Sequence, residues 1–347
     1  MRPPDLVAAL EARGVACAEV EARRVLAHVI SDGRGDLELR KPIRRVVREA
    51  VDRELERTPL EIVERATDDF DGFVKYLFRS PDGALHEAVR IPLHKQDRFT
   101  VCLSSQVGCA MRCDFCATGR LGLTRNLRAW EMVAALRAVR DEAPGRVTGA
   151  VFMGQGEPFH NYDEVIQAAR VLSEPCGGRI SAEAISISTV GLVPQIRRFT
   201  KEGHLFRLIV SLTSAVPERR QRLLPVAGRF AIEDLAAAIR EHDQSRKSGR
   251  VTVAWVLLGG VNHDDAEVRR LVELFDGVRL RLNLIDVNGD GEDGYRRATD
   301  EERKAFFTDL QVLGAPIVRR YSGGANRLAA CGMLAAARTS PAQLSTE

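Results

Sequence analysis

From about residue 98 onward, short apolar runs alternate with amphipathic stretches, and this alternation constrains the fold of the 347-residue chain more than any other feature. The apolar runs are FTVCLSS, TGAVFMG, EAISIST, LFRLIVSL, RVTVAWVLL and VRLRLNLI. Between them RAWEMVAALRAVRDE, YDEVIQAARVLSE, VPQIRRFTKEG, AIEDLAAAIREHDQ and AEVRRLVELFDG place apolar residues at helical spacing. Short buried strands separated by helices specify a parallel sheet, because each parallel step needs a crossover that covers a sheet face. No dinucleotide-type glycine fingerprint is present. The expected fold class is therefore α/β, a partial (β/α)6 TIM-like barrel with a small N-terminal helical domain. Ligand groups in such a barrel collect on loops at the C-terminal ends of the strands.

The rest of the chain divides around that barrel. Residues 1–68 read as a helical accessory domain, carried by LVAALEARG, AEVEARRVLAHVI and IRRVVREAVDRELE. Residues 69–97 read as a β-hairpin linker: FVKYLFRSPDGALHEAVRIP alternates in character, and Pro81-Asp82-Gly83 supplies the turn. The barrel spans 98–338 and ends with DEERKAFFTDLQVLG, APIVRRY and the glycine-rich SGGAN before Cys331; residues 339–347 read as a disordered tail. No apolar run is long enough to span a bilayer and no cleavable leader is visible, so a cytoplasmic location is expected, and with no obvious exposed apolar stripe a monomer is expected. The net charge of +3 is compatible with an RNA partner without requiring one. The candidate basic patches are Arg40–Lys41 with Arg44–Arg45, Arg219–Arg220 with Arg222, and Arg319–Arg320.

Seven cysteines are present; Cys109, Cys113 and Cys116 cluster, while Cys17, Cys102, Cys176 and Cys331 are dispersed. The cluster reads Gly108-Cys109-Ala-Met-Arg-Cys113-Asp-Phe-Cys116-Ala-Thr-Gly119 and follows the strand FTVCLSS directly. Three thiolates on one short loop reach three corners of a cubane [4Fe–4S] cluster and leave one iron open for a ligand. The other reading of the triplet is a structural zinc site completed by a distant His. Among the dispersed cysteines, the default reading is a small buried hydrophobe.

The C-x3-C-x2-C spacing resembles the signature of the radical S-adenosylmethionine (SAM) superfamily. The resemblance implies that the open iron chelates SAM and that Phe115 packs by its adenine. Gly154-Gln155-Gly156-Glu157-Pro158, after the second strand, resembles the stretch that orients the SAM amino group. Ser188 ends EAISIST; Ser211, Leu212 and Thr213 end LFRLIVSL; Asn288 follows NLIDV. Hydroxyls and amides at these tips are candidate partners for the ribose and carboxylate of SAM, and equally candidate helix caps.

CLSSQVGCAMRCDFCATGRLGLTRNL, GQGEP, STVGLVP, NLI and AACGMLA resemble, in that order, the RlmN/Cfr family of radical-SAM RNA adenine methyltransferases. KYLFRSPDGALHEAVRIP is similar to the segment preceding its catalytic barrel, so the resemblance covers roughly residues 70 to 335. It implies that Cys331 is methylated by one SAM and that a second SAM supplies a 5′-deoxyadenosyl radical. The carbon radical formed on Cys331 then adds to C2 or C8 of an adenine in rRNA or tRNA. Cys102 releases the product by forming a disulfide, Glu87 accepts the ring proton, and a donor such as flavodoxin or ferredoxin supplies electrons. An amidine carbon is a poor nucleophile, which gives a reason for radical chemistry, and thiol attack on a tethered sulfur gives a reason for two cysteines. Gly323, Gly324 and Gly332 are expected to let the Cys331 loop swing. The chain departs from the family pattern with Thr213 in place of a His, with an acidic loop at Asp286, Asp290, Glu292 and Asp293, and with a generic N-terminal helical piece. Two other readings accommodate these features. One is a relative acting on a tRNA, a peptide or a small molecule; the other is an RNA-binding iron–sulfur redox sensor.

Overall fold

The computed structural model describes all residues except 33–41, 55–59, 248, 289–293, 322, 325–327 and 335–347. The alternating segment folds as its periodicity requires. A ten-stranded sheet runs β1-β2-β3-β4-β7-β8-β9-β10-β11-β12. Its strands are β1 Glu61–Thr67, β2 Val74–Arg79, β3 Leu85–Pro92, β4 Arg98–Leu103, β7 Arg146–Phe152, β8 Ile185–Thr189, β9 Arg207–Ser211, β10 Val251–Leu257, β11 Leu280–Asp286 and β12 Ile317–Arg320. The short strands β5 Gln106–Gly108 and β6 Leu123–Asn126 form a separate antiparallel pair. From β4 onward every neighbouring pair in the large sheet is parallel. The six expected barrel strands are present, and the last αβ piece adds β12 beside β11 as a further parallel strand.

Helices Ala129–Asp141, Tyr162–Ser173, Val193–Glu202, Ile232–Ser245, Asp265–Phe275 and Asp300–Asp309 follow the strands. They pack their apolar faces on the sheet in a core holding the fully buried Phe152, Phe159, Phe199, Trp255 and Phe306. A smaller cluster joins Val89 of β3, Cys102 of β4, Val151 of β7, Ile209 of β9, Ala254 of β10 and Ile285 of β11 to Phe73, Ala329 and Leu334. These six strands each turn a residue to the same space, so this cluster forms part of the inner wall of the barrel.

The helical expectation for residues 1–68 does not extend to Glu61–Thr67. Glu61–Thr67 is a strand, paired antiparallel with β2 through Glu61↔Arg79 and Thr67↔Val74. EIVERAT carries β-branched Ile62 and Val63, and the exposed hairpin edge offers it a ladder that a lone helical turn would lack. Helices Pro3–Glu11, Glu19–Leu26 and Arg45–Glu54 form the accessory piece. Leu6, Leu10, Val25, Val47 and Val51 make its core, which Cys17 and the barrel's Cys176 join as small apolar groups. Arg140 Nη2 on the barrel donates to the carbonyls of Ile30 and Ser31, both at 2.9 Å, which docks the piece.

Candidate active site

The cysteine triplet occupies a loop tied at its neck. β5 pairs with β6, Gln106↔Asn126, and the Cys109 amide donates to the Gly122 carbonyl at 2.7 Å. Inside the loop the Cys116 amide donates to the Cys113 carbonyl at 3.1 Å, and the Asp114 amide reaches the Leu223 carbonyl at 3.1 Å. Cys109 and Cys113 are buried, Cys116 is half-buried, and all three are free thiols. Burial pushes the Cys109 thiol up to about 12 and raises Cys113 and Cys116 as well. Metal binding must therefore displace protons from these thiols, as coordination by a cation does. Among the described residues no three His, Cys, Asp or Glu side chains converge as ligands of a single ion. Three thiols on one loop are the donor set a [4Fe–4S] cluster would use, each thiolate holding a separate iron.

Cys331 returns to this loop from the far end of the chain. The Ala117 amide donates to the Gly332 carbonyl at 2.8 Å, and Thr118 Oγ1 donates to the Leu334 carbonyl at 2.6 Å. Cys102, Cys116 and Cys331 consequently line one cavity, walled by Phe73, Met153, Ile285, Arg320 and Tyr321. Cys331 is exposed and Cys102 is buried. Burial raises the Cys102 thiol to about 12, and the neighbouring Cys331 adds to the shift. Glu87 lies on the same face of the sheet: Val89 pairs with Cys102, and Glu87 is two residues away along β3. Lys75 Nζ stands 3.2 Å from Glu87 Oε1, an ion pair with both side chains largely buried.

Asp71 holds the approach to Cys331. Its Oδ2 accepts from the Gly324 amide at 2.8 Å and from the Tyr321 hydroxyl at 3.1 Å, while Oδ1 accepts from the Phe73 amide at 3.2 Å. A side chain at Gly323 would lie 2.5 Å from both Asp71 Oδ2 and the Phe73 ring. That glycine therefore serves close packing here, in addition to the mobility expected from sequence. Asp71→Ala should free the segment: amide exchange over residues 323–334 should rise and turnover fall roughly tenfold, the scale of a lost charged hydrogen bond. Unchanged exchange would contradict the tether.

The strand tips carry the other expected residues. Gly156 has φ +100°, and a side chain there would overlap Gln106 Cβ at 2.6 Å. Glu157 is buried; its Oε1 accepts from the Phe159 amide at 2.9 Å and its Oε2 from the Val190 amide at 2.8 Å. Burial raises this carboxyl to about 7. Ser188 Oγ and Ser211 Oγ lie 3.4 Å apart at the ends of β8 and β9. Leu212 and Thr213 are fully buried. Thr213 adopts φ +61°, unusual for a β-branched residue, with its carbonyl held by Asn262 Nδ2 at 2.6 Å. Its Oγ1 has no hydrogen-bond partner among the described residues. Asn288 Oδ1 accepts from Arg297 Nη2 at 2.5 Å. Phe115 packs against the main core, and its carbonyl lies 3.7 Å from where a Gly332 side chain would begin.

Residues 103–272 match the Radical SAM superfamily. The "Dual-specificity RNA methyltransferase RlmN" of Syntrophobacter fumaroxidans (strain DSM 10017 / MPOB) is 38% identical over 326 residues, covering 93% of this chain and 94% of that one. The chain belongs to the RlmN family of radical-SAM methyltransferases. A "Probable RNA methyltransferase" of Anaeromyxobacter sp. (strain Fw109-5) is 50% identical over 90% of this chain and 92% of its own. A crystal structure of a radical SAM methyltransferase from Sphaerobacter thermophilus superposes with a TM-score of 0.87 at 37% identity, over 97% of this chain and 98% of that one. Membership implies a [4Fe–4S] cluster and SAM.

Several expectations change against this RlmN-type frame. The Arg219–Arg220–Arg222 patch is not a patch: Arg219 pairs with Asp264 at 2.7 Å and Glu267 at 2.6 Å, and Arg220 is buried. In the first patch Arg44 pairs with Glu21 at 2.6 Å, and Arg40 and Lys41 lie outside the described residues. Arg319 pairs with Asp286 at 2.9 Å, and Arg303 pairs with it at 3.2 Å. The acidic loop thus begins with a carboxylate already balanced by two cations; Asp290, Glu292 and Asp293 lie outside the described residues. Sequence reasoning did not single out Lys75, Asp71, Phe73 or Tyr321. The alternating pattern that located the hairpin was the available signal for Lys75, two positions from Phe73 on one face. Among the described residues no helix is long and apolar enough to cross a membrane.

Proposed function

We propose that this chain methylates C2 or C8 of an adenine in rRNA or tRNA through an S-methylated Cys331. The observation that carries this reading is the cavity shared by Cys102, Cys331 and the cluster-loop Cys116. The relatives named RNA methyltransferases support RNA as the substrate class. Cys109, Cys113 and Cys116 would hold the cluster, and the tips bearing Gly156, Glu157, Ser188, Ser211 and Asn288 would seat SAM, with Phe115 by its adenine. Leu212 and Thr213 would contribute through the backbone conformation they hold. When bound, the cluster and SAM together supply a 5′-deoxyadenosyl radical, able to activate an S-methyl group.

The chain's own residues then have definable tasks. Cys331, exposed at the cavity, carries the methyl carbon and presents it to the base. Glu87 takes the proton from the substituted ring carbon, the unpaired electron left on the adduct would return to the oxidised cluster, and Lys75 holds the Glu87 carboxylate in place. Cys102 attacks Cys331 Sγ as a thiolate; the Cys331 sulfur–carbon bond breaks, its electron pair leaves with the carbon, and a disulfide forms. A proton completes the methyl group, and an external dithiol must reduce the disulfide before another cycle. A flavodoxin- or ferredoxin-type donor would supply electrons to the cluster. The test is nucleoside analysis of RNA from cells with and without the gene. Loss of one methyladenosine is expected; an unchanged methyladenosine profile would reject RNA adenine as the substrate.

A further inference from the structure

Arg220 is 3% exposed, on the helix Pro217–Leu223. Its guanidinium donates to the carbonyls of Ser211 at 3.3 Å, Leu212, and Val190 at 2.6 Å. These three carbonyls stand at the ends of β8 and β9. Burial lowers its pKa to about 10, so it remains a cation at neutral pH, and Cys113 of the cluster loop lies near enough to act on its charge. Its helix is joined to the cluster loop through the Asp114 amide and the Leu223 carbonyl, 3.1 Å apart. Among the described residues its hydrogen-bond acceptors are neutral carbonyls, and a buried cation balanced by carbonyl dipoles alone is costly.

We propose that Arg220 is the buried counter-ion of the iron–sulfur site, acting on Cys113 to make the cluster easier to reduce. The inference rests on the reading that Cys109, Cys113 and Cys116 hold a cluster. Thiolate coordination brings negative charge into a low-dielectric loop, and one-electron reduction adds another. A fixed positive charge nearby stabilises the reduced form more than the oxidised one and raises the potential, since net charge and burial set cluster potentials.

The test uses the full-length protein reconstituted anaerobically as wild type, Arg220→Lys and Arg220→Gln. Iron and sulfide content, the midpoint potential by redox titration followed by electron paramagnetic resonance without SAM, and SAM affinity are measured. The Gln variant should hold four irons with a midpoint shifted to more negative potential, and the Lys variant should stay near wild type. If the Gln variant loses its irons and the Lys variant keeps them, the charge requirement is likewise upheld. An unchanged midpoint in a Gln variant holding four irons would overturn the proposal. So would equal shifts in both variants, which would make Arg220 a staple for the strand ends, or weakened SAM binding at an unchanged midpoint. A wild-type protein that takes up no four-iron centre would instead reject the cluster reading on which the inference rests.

Discussion

Cys331→Ala should abolish RNA methylation completely while leaving iron content at the wild-type level. The thiol lies outside the triplet, and the loop that bears it meets the cluster loop through backbone contacts, Ala117 to Gly332, that alanine preserves. Exposure of the position means that removing one sulfur leaves no cavity in the core. Iron assay, absorbance and incorporation of a labelled methyl group into RNA measure the two effects separately. Full methylation by the variant would show that the methyl group reaches RNA without this residue.

The second large effect concerns Cys102. Cys102→Ala should halt the reaction after carbon–carbon bond formation and leave RNA covalently attached to Cys331. Because the Cys102 thiol is raised to about 12, chiefly by burial, its thiolate is scarce at neutral pH. The thiolate fraction then grows tenfold per pH unit and continues to grow past the range where an ordinary cysteine, at about 8.5, levels off. Single-turnover release of product from wild-type adduct should therefore accelerate with pH through 9. Denaturing gels and peptide mass spectrometry detect the adduct. Release that is equally fast in the alanine variant would remove Cys102 from the reaction.

How much was legible in the sequence depended on the range of the interaction. The barrel strands are a local pattern, a period of two or 3.6 residues, which the structure follows, and the cysteine triplet is local in the same sense, a fixed spacing on one loop. EIVERAT, by contrast, is ambiguous at seven residues and takes its state from its pairing with β2. The three arginines at 219, 220 and 222 are neighbours in sequence but diverge around one helical turn. Arg219 turns to Glu267 and Arg220 into the protein, so charge in a string did not become charge on a surface. The meeting of Cys102 with Cys331 spans most of the barrel sequence, and only the family resemblance pointed to it. Thr213 shows the same limit at one residue: the carbonyl of its left-handed backbone is held by Asn262, 49 positions later.

The passage of a methyl carbon through Cys331 is the step on which these roles converge. Protein incubated with SAM labelled on its methyl group, isolated, and then given RNA, unlabelled SAM and reductant measures it directly by mass spectrometry of the Cys331 peptide and the RNA nucleosides. The label should appear first as one methyl on Cys331 and then, in the chase, on an adenine carbon. Label reaching the adenine while the isolated Cys331 peptide never carries it would contradict the account.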